Sequence, residues 1–397
     1  MRARLRALPT RILLVAALVL AALVGSLGFA VADAKTAAPD RSAKPGHSAG
    51  PLIFGHRGAS GYRPEHTLAS YDLAIRQGAD VIEPDLVSTK DHQLVARHEN
   101  DITGTTDVEK HPEFANRMRT KTVDGVSITG WFTEDFTLRE LRTLRAEERL
   151  PLVRQENTIY DGRYQIPTFQ EVIDLAAAES KRYGRTIGIT PETKHPTYFD
   201  SIGLSLEEPL VATLRANKLE NSRDVYVQSF ETANLQELRN RFHLRTSLVQ
   251  LTSASGRPYD YTAAGNPATY ADIVSPAGLR KVATYADWLG PDKAQMYPRD
   301  PATQNSGAPS TLVRDAHAAH LCIVPYTVRP ENQFLPAQYR TAADPNAYGH
   351  VFDEYQDLFE VGVDGLFTDT PDIGFAARED FHSYRYGVAH PQAQAHA

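Results

Sequence analysis

The sequence predicts an α/β fold, a TIM-type (β/α)8 barrel that carries an insertion over one end. Short apolar runs alternate with helical patterns from Leu52 to about residue 380, and a polar segment interrupts this alternation at about residues 100–165. Regular strand–helix alternation is typical of a parallel sheet whose strands are joined by crossover helices. A closed barrel is the simplest arrangement of that kind.

The candidate strands are short runs rich in Val, Ile, Leu, Tyr and Thr. In chain order they are Leu52–Gly55, Asp80–Leu86, Leu94–His98, Thr186–Thr190, Asp224–Ser229, Thr246–Leu251, Ala286–Gly290, Leu321–Val328 and Gly365–Thr368. A barrel of this type has eight strands, so one of the nine candidates should lie outside the barrel. The connection from Asp85 to Leu94 is too short for a crossover helix, so we expect an irregular junction there.

The candidate helices lie between these runs and show apolar residues at helical spacing. They are Thr67–Gln77, Thr137–Leu144, Thr168–Tyr183, Leu206–Asn217, Thr232–Arg239, Leu279–Tyr285, Thr311–His320 and Asp353–Val361. Thr168 is followed three residues later by Glu171, which is the pattern of a capping box ahead of an apolar run. Most of these helices follow a strand, as crossover connections do.

Composition sets the predicted boundaries of the barrel at residues 51–380. The segment at about 100–165 is polar and contains a T-V-D-G turn and Trp131, so we interpret it as an insertion. Residues 35–50 and 381–397 carry few large apolar side chains, and we predict a flexible leader and a flexible tail there.

The first 34 residues have the pattern of a secretory signal peptide. Basic residues precede an apolar run from Ile12 to about Val24, and Ala32, Asp33 and Ala34 offer small residues at a cleavage site. We expect cleavage after Ala34 and a secreted, extracellular protein with no stable membrane insertion. The alternative is an uncleaved anchor, because the weakly polar run to Ala32 approaches spanning length.

Charge and cysteine content exclude other classes of protein. Without residues 1–34 the chain has 38 basic and 48 acidic residues, a formal charge of −10. No basic footprint for nucleic acid is expected from such a balance. Cys322 is the only cysteine, so no internal disulfide forms, and its apolar run suggests a buried core thiol.

Residues typical of phosphodiester cleavage follow the predicted strands. His56 and Arg57 stand between Gly55 and Gly58 at the end of the first strand, where glycines would leave room for close approach. The carboxyl ends of barrel strands converge on one face. Glu83 and Asp85 are two residues apart, so both side chains should point to the same side of the second strand.

Further candidates follow the next two strands. His98 ends the third predicted strand, and Glu192 and Lys194 repeat the two-residue spacing after the fourth. Three converging carboxylates, Glu83, Asp85 and Glu192, are suited to one hard divalent cation, Ca²⁺ or Mg²⁺. Arg57 and Lys194 supply positive charge for a phosphate, and the two histidines can divide the removal and delivery of protons.

At this point the sequence resembles the glycerophosphodiester phosphodiesterase family, most closely its larger, exported, periplasmic-type branch. The likeness runs from Leu52 to about Ile373. Its motifs are H-R-G-A-S-G-Y-R-P-E-H-T at 56–67, G-A-D-V-I-E-P-D-L-V-S-T-K-D at 78–91, L-V-A-R-H at 94–98, I-G-I-T-P-E-T-K at 187–194, V-Y-V-Q-S-F at 225–230, L-V-Q-L at 248–251, P-Y-T-V-R at 325–329 and D-G-L-F-T-D-T-P-D at 364–372.

The resemblance implies hydrolysis of glycerophosphodiesters to glycerol 3-phosphate and an alcohol, with one divalent cation that is typically Ca²⁺. It also implies attack by the glycerol 2-hydroxyl and a cyclic phosphate. The implied roles are an acid–base pair (His56, His98), metal carboxylates (Glu83, Asp85, Glu192), basic substrate contacts (Arg57, Lys194), an acidic residue at or beside the metal (Glu65) and pocket-lining residues (Gln228, Phe230, Tyr326).

Three departures from the family pattern bear on pocket shape and on the preferred alcohol. They are His92 in place of Gly or Asn, Glu99 in place of Asp, and Val324 in place of His. Two other functions stay open on the sequence alone. One is cleavage of a polymeric or lipid diester, such as teichoic acid or a lysophospholipid, and the other is non-catalytic binding of a phosphate ester. The alcohol moiety and the oligomeric state do not follow from the sequence.

Overall fold

The computed structural model describes residues 50–386. The predicted signal peptide and almost all of the predicted leader lie outside the described residues, as do residues 387–397 of the predicted tail. Residues 381–386, which we predict to belong to the tail, instead continue the last described helix, Pro371–Tyr386. Within the described part of the chain, no helix is long and apolar enough to cross a membrane.

The described chain alternates strands and helices, with several 3₁₀ turns between them. The strands are β1 (Leu52–Gly55), β2 (Val81–Ile82), β3 (Asp85–Ser88), β4 (Leu94–Ala96), β5 (Arg119–Val123), β6 (Val126–Gly130), β7 (Gly188–Ile189), β8 (Glu192–Thr193), β9 (Tyr226–Ser229), β10 (Ser247–Thr252), β11 (Trp288–Pro291), β12 (Cys322–Ile323) and β13 (Gly365–Thr368).

The helices include short turns that the sequence pattern did not predict, chiefly in the loops after the strands. They are α1 (Leu68–Arg76), α2 (Leu138–Leu141), α3 (Phe169–Tyr183), α4 (Pro196–Ser201), α5 (Glu207–Ala216), α6 (Thr232–Asn240), α7 (Tyr259–Ala263), α8 (Tyr270–Ile273), α9 (Pro276–Val282), α10 (Lys293–Met296), α11 (Leu312–Ala318), α12 (Val351–Glu360) and α13 (Pro371–Tyr386). The capping box predicted at Thr168 is present, with Glu171 as its second member.

Eight parallel strand positions form a closed ring, which confirms the TIM-type barrel. β1 lies between β13 and β2, and the order continues through β7, β9, β10, β11 and β12. Parallel bridges close the remaining joins, from Ile189 to Val225 and from Val328 to Thr368. The second and third positions are each split in two, β2 with β3 and β7 with β8. Pro84 and Pro191 stand at the breaks, because proline donates no hydrogen bond to a ladder.

The predicted third barrel strand, Leu94–His98, is wrong as a barrel strand. Its residues 94–96 form β4, which pairs antiparallel with β3 at the edge of the barrel sheet. The connection between the two strands has the length of a hairpin loop, and a hairpin returns the chain antiparallel. This hairpin accounts for the ninth candidate strand and for the irregular junction.

Alternate strand residues fill the barrel interior and the layer between strands and helices. Phe54, Tyr226, Trp288 and Phe367 form an aromatic cluster inside the ring, with the Phe54 and Phe367 ring centroids 4.9 Å apart. Ile53 points the other way and packs in the outer apolar layer. Cys322 is half-buried beside the inner cluster, so the predicted full burial of its thiol is wrong.

The segment between β4 and α3 adds no strand to the barrel ring. It contains the β5–β6 hairpin, whose turn residues Asp124 and Gly125 both have positive φ, at 49° and 80°. Such a turn matches the twist of the flanking strands. Later residues of the segment reach the carboxyl end of the barrel, where Arg154 donates a hydrogen bond to the carbonyl oxygen of Ser60.

Candidate active site

A group of buried charged side chains collects at the carboxyl ends of the barrel strands. It includes one histidine and one aspartate from the first and last strands and three carboxylates from the two split positions. His56, Glu83, Asp85, Glu192 and Asp369 are all less than a tenth exposed. Ionised groups stay buried only where partners or metal ions compensate them, so the partners of each group show what the site can do.

His56 is held by Asp369, which follows β13. The Nδ1 atom of His56 lies 2.5 Å from Oδ1 of Asp369. Asp369 in turn accepts from Arg154 Nη2 at 2.6 Å and lies 2.9 Å from Arg329 Nε. Although burial alone would raise it, the pKa of Asp369 is well below its ordinary value because of Arg329, Arg154 and His56. Burial lowers the pKa of His56 to about 4, against the opposing effect of Asp369.

Arg57 is placed by an unusual backbone conformation. Its φ is 58°, a left-handed value that side chains other than glycine adopt rarely. The backbone N–H donates to Glu83 Oε2 at 2.9 Å, and Nη1 donates to Glu65 Oε2 at 2.9 Å. Glu65 also lies 3.3 Å from Arg149 of the insertion. Glu65 therefore stands beside the carboxylate group and holds Arg57.

Glu83, Asp85 and Glu192 form a compact buried group. One ligand atom from each lies within 4.8 Å of the other two. Burial raises the pKa of Glu83 well above its ordinary value, and Asp85 and Glu192 raise it further. Burial likewise raises the pKa of Glu192 to about 7, against the effect of Lys194. The buried Oδ1 atom of Asp85 has no hydrogen-bond partner. A divalent cation with oxygen ligands fits these residues, because it would ligate that oxygen and offset the repulsion among the carboxylates.

Two neighbouring side chains orient these carboxylates. His66 Nε2 lies 2.9 Å from Asp85 Oδ2, and the other ring nitrogen of His66 lies 2.8 Å from the Tyr71 hydroxyl. Gln228 donates from Nε2 to Glu83 Oε1 at 2.7 Å and is fully buried. Gln228 was predicted to line the substrate pocket, whereas its amide contacts a carboxylate of the candidate metal site. Groups that orient metal ligands in this way tune the affinity for the ion.

His98 lies two residues beyond β4 and faces Lys194. Its Nε2 is 3.4 Å from Lys194 Nζ, and the same ammonium lies 2.9 Å from Glu192 Oε1. Burial lowers the pKa of His98 well below its ordinary value, and Arg57 and Lys194 lower it further. The hairpin that excludes β4 from the ring therefore still delivers His98 to the carboxylate group.

Phe230 and Tyr326 lie on the side of Lys194. Their rings meet edge to face with centroids 5.9 Å apart, and Lys194 Nζ is 5.8 Å from the Phe230 ring centroid. A cavity of about 370 Å³ opens here, lined in part by Glu192, Lys194, Phe230 and Tyr270. The Tyr326 hydroxyl donates to the carbonyl oxygen of Thr252 at 3.1 Å. The cavity is large enough for one arm of a small diester.

Gly58 serves packing and leaves no room for a ligand. Its φ is 90°, and an added Cβ would lie 2.4 Å from the Ser70 hydroxyl oxygen of α1. The expectation that the glycine opens space at the barrel mouth is therefore wrong at this position. Glycine is required because helix α1 packs against the loop that carries His56 and Arg57.

Several site residues escaped the sequence reasoning. Asp369 ends the last strand as His56 ends the first, and that matched position is a signal that could have found it. His66 lies inside the first motif, but its spacing gives no sign that it contacts Asp85. Arg154 comes from the irregular part of the insertion, and no periodic pattern points to it. His195 contacts Glu99 Oε2 at 2.8 Å, a pairing across 96 residues that only the fold reveals.

Comparison with known proteins finds similarity to one family. A model of the glycerophosphoryl diester phosphodiesterase family matches residues 56–373. The glycerophosphodiester phosphodiesterase GDPD6 of Arabidopsis thaliana is 35% identical over 345 residues, which cover 82% of this chain and 85% of that protein. A glycerophosphodiester phosphodiesterase of Haemophilus influenzae is 29% identical over 344 residues, 81% of this chain and 88% of that protein.

Solved structures show the same fold at lower identity. A putative glycerophosphoryl diester phosphodiesterase from Silicibacter pomeroyi superposes with a TM-score of 0.57 at 20% identity, covering 84% of this chain and 95% of that one. At this identity the likeness supports the barrel alone.

Proposed function

This chain belongs to the glycerophosphoryl diester phosphodiesterase family and is a phosphoric diester hydrolase, and from that premise we propose that it cleaves glycerophosphodiesters into glycerol 3-phosphate and an alcohol. The observation that carries the proposal is the arrangement of two histidines at the buried carboxylate group. His56 Nε2 lies 3.9 Å from Glu83, while His98 reaches Glu192 through the ammonium of Lys194.

The three carboxylates would hold one divalent cation, and Ca²⁺ is the first choice. Calcium accepts carboxylate ligands in flexible geometry, whereas Mg²⁺ requires a near-ideal octahedron and retains several waters. The chemistry that the ion supplies when bound is polarisation of a phosphoryl oxygen. Arg57 and Lys194 add fixed positive charge beside the carboxylates, where the phosphate of the diester would lie.

We propose a separate proton transfer for each histidine on the basis of its surroundings. The Lys194 ammonium faces Nε2 of His98, which keeps that nitrogen unprotonated and suited to accept a proton. The Asp369 carboxylate on Nδ1 of His56 favours the imidazolium, against the opposing effect of burial. We assign His98 as general base and His56 as general acid.

The proposed reaction has two steps, ring closure and hydrolysis of the cyclic phosphate. The glycerol 2-hydroxyl attacks phosphorus, its proton passes to His98, and the leaving alkoxide takes a proton from His56. The product of this step is a cyclic glycerol phosphate. Water then opens the ring with the two histidines in exchanged roles. Attack within one molecule is efficient because both reacting groups are already close together.

The proposal extends to the location of the enzyme. The basic residues, the apolar run and the small residues at 32–34 favour export with cleavage after Ala34. Sequencing the amino terminus of the protein from culture medium should give Lys35 as the first residue. Retention of the intact terminus in the membrane fraction would favour the anchor instead.

Product analysis tests the activity directly. Purified protein is stripped with a chelator and assayed on glycerophosphocholine, glycerophosphoethanolamine and glycerophosphoglycerol, with Ca²⁺ or Mg²⁺ restored. We expect glycerol 3-phosphate and the free alcohol only when the cation is present. The panel also contains teichoic-acid fragments and lysophosphatidylcholine. Much faster turnover of either would reassign the substrate, and tight binding of every diester without turnover would mean a non-catalytic protein.

A further inference from the structure

Four side chains beside the carboxylate group form a continuous line of close polar contacts. His98 Nδ1 lies 2.6 Å from Glu99 Oε1, and the other oxygen of Glu99 lies 2.8 Å from His195 Nε2. His195 Nδ1 lies 2.6 Å from Asp124 Oδ2. The line joins the segment that follows β4, the residue after Lys194 and the turn of the β5–β6 hairpin.

His195 must carry a positive charge in this arrangement. Both of its ring nitrogens face carboxylate oxygens, which only accept hydrogen bonds, and only the imidazolium can donate from both nitrogens. Although burial lowers it, the pKa of His195 is raised to about 9 by Asp124 and Glu99. The ring is mostly buried, with 17% of the side chain exposed, so the interaction is only weakly screened by solvent.

The backbone at His195 is held in a costly conformation. Its φ is 51° and its ψ is 45°, in the left-handed region. A non-glycine residue there is strained, and such strain persists where the surroundings fix it. The strained turn lies directly between Lys194 and Pro196, and it is where the chain aims the imidazole at Glu99 and Asp124.

We infer that His195 is a positioning residue for His98, acting through the carboxylate of Glu99. Glu99 is 42% exposed at its side chain and adjacent in sequence to His98, so it would be free to turn toward solvent without a second partner. The His195 imidazolium holds that carboxylate against Nδ1 of His98. The proton of His98 then stays on Nδ1, and Nε2 keeps the lone pair that faces Lys194 and the site.

Each of the two histidines thus has a carboxylate at Nδ1, but different side chains hold the two carboxylates in place. His56 has a carboxylate, Asp369, that two arginines fix. His98 has a carboxylate, Glu99, that a histidine fixes. The extra methylene of Glu99 gives the carboxylate the reach to touch both rings. The inference rests on the proposed function, because it assigns a role in the proton transfer of His98.

Steady-state kinetics of three variants test the inference. They are His195→Gln, Glu99→Gln and the double variant, with His317→Gln as a matched control. His317 also pairs with a carboxylate, Asp364 at 2.8 Å, but on helix α11 away from the site. We expect His195→Gln to lower kcat on glycerophosphocholine by about 10- to 100-fold, as loss of an orienting partner does. KM and the affinity for Ca²⁺ should change little.

The double variant separates positioning from a general structural effect. If His195 acts through Glu99, the double variant should be no slower than Glu99→Gln alone. Losses of kcat that multiply in the double variant would overturn the inference. Wild-type kcat in His195→Gln, or an equal loss of Ca²⁺ affinity, would overturn it as well.

A spectroscopic readout keeps this test independent of activity. In protein labelled with ¹⁵N at histidine, the His98 ring signals are assigned by their absence from a His98→Asn variant. We expect the Nδ1–H tautomer in the wild type and a mixture of tautomers in His195→Gln. An unchanged tautomer in His195→Gln would refute the inference. Absence of turnover by the wild type would refute only the proposed function.

Discussion

The ammonium of Lys194 lies 3.4 Å from Nε2 of His98. The same ammonium is paired with Glu192, one of the three candidate metal ligands. One fixed charge thus links the candidate general base to the candidate metal site. Because the ammonium is positively charged and can only donate, it disfavours a proton on Nε2 of His98 and favours the ionised form of Glu192, against the effect of burial.

Removal of either histidine should abolish turnover with little effect on folding. We expect His56→Ala and His98→Ala each to lower kcat on glycerophosphocholine by at least about 100-fold, the contribution of general acid–base catalysis. The measurement is steady-state kinetics, with thermal unfolding to confirm the fold. The control is His317→Gln on α11. Near-normal kcat in either alanine variant would rule out the proposed acid–base pair.

Replacement of Glu192 by Gln should weaken cation binding. One of three charged ligands is lost, so we expect the affinity for Ca²⁺ to fall by more than about tenfold in titration calorimetry. The exposed carboxylate of Asp174 on α3 provides a control, and Asp174→Asn should bind Ca²⁺ normally. Unchanged affinity in Glu192→Gln would place the cation elsewhere.

Gln228 should affect the cation more than the substrate. Its amide donates to Glu83 at 2.7 Å, so Gln228→Leu leaves that carboxylate without an orienting partner. We expect a 10- to 100-fold loss of Ca²⁺ affinity, the usual size of such an effect, and an unchanged KM at saturating Ca²⁺. Gln250→Leu, a buried glutamine on the next strand, is the matched control. A raised KM with normal Ca²⁺ affinity would instead support the predicted place of Gln228 in the substrate pocket.

Arg154 should be important for stability because it joins the insertion to the barrel. It donates to Glu331 Oε1 at 2.7 Å and to Asp369 Oδ2 at 2.6 Å, and it is 6% exposed. Arg154→Met leaves two buried carboxylates short of a partner, which typically costs about 3–5 kcal/mol. Urea unfolding measures the loss. Arg139→Met, at an exposed arginine of α2, should change the free energy of unfolding by less than about 0.5 kcal/mol.

His195 should make the folded protein less stable at alkaline pH. Its pKa is raised to about 9 in the folded chain, from 6.5, by Asp124 and Glu99, the two carboxylates that face it. A raised pKa stabilises the fold fully below pH 6.5, and this contribution is lost as pH rises through about 9. We expect the free energy of unfolding to fall by roughly 3 kcal/mol over that window. In His195→Gln the fall should be smaller, and identical pH curves for the two proteins would contradict the assignment.

The barrel could be predicted because its signal is local and periodic. β1 and β13 have the same bounds as their predicted runs, since each is an uninterrupted apolar run. The run at Leu94 has the same composition, and its different role depends on the length of the preceding loop. The short connection between β3 and β4 showed that the junction is irregular. The sequence did not show that the chain would turn back there as an antiparallel hairpin.

The candidate site was predictable where residue spacing determines geometry. Glu83 and Asp85 share one side of a strand position because side chains alternate, and the structure brings both to Glu192. Asp124 and His195 were not predictable. The contact between them joins a hairpin tip to a strained turn 71 residues away, and no period in the sequence relates the two.

The bond between His56 and Asp369 has a consequence for the synthesis of the protein. These residues are 313 positions apart and belong to the first and last strands of the ring. A ribosome that has made nearly all of the barrel has still not made the partner of the first candidate catalytic side chain. We therefore expect the nascent chain to stay inactive until its final strand emerges and closes the ring. Any chain that ends early lacks one half of this pair, however well its earlier strands have folded.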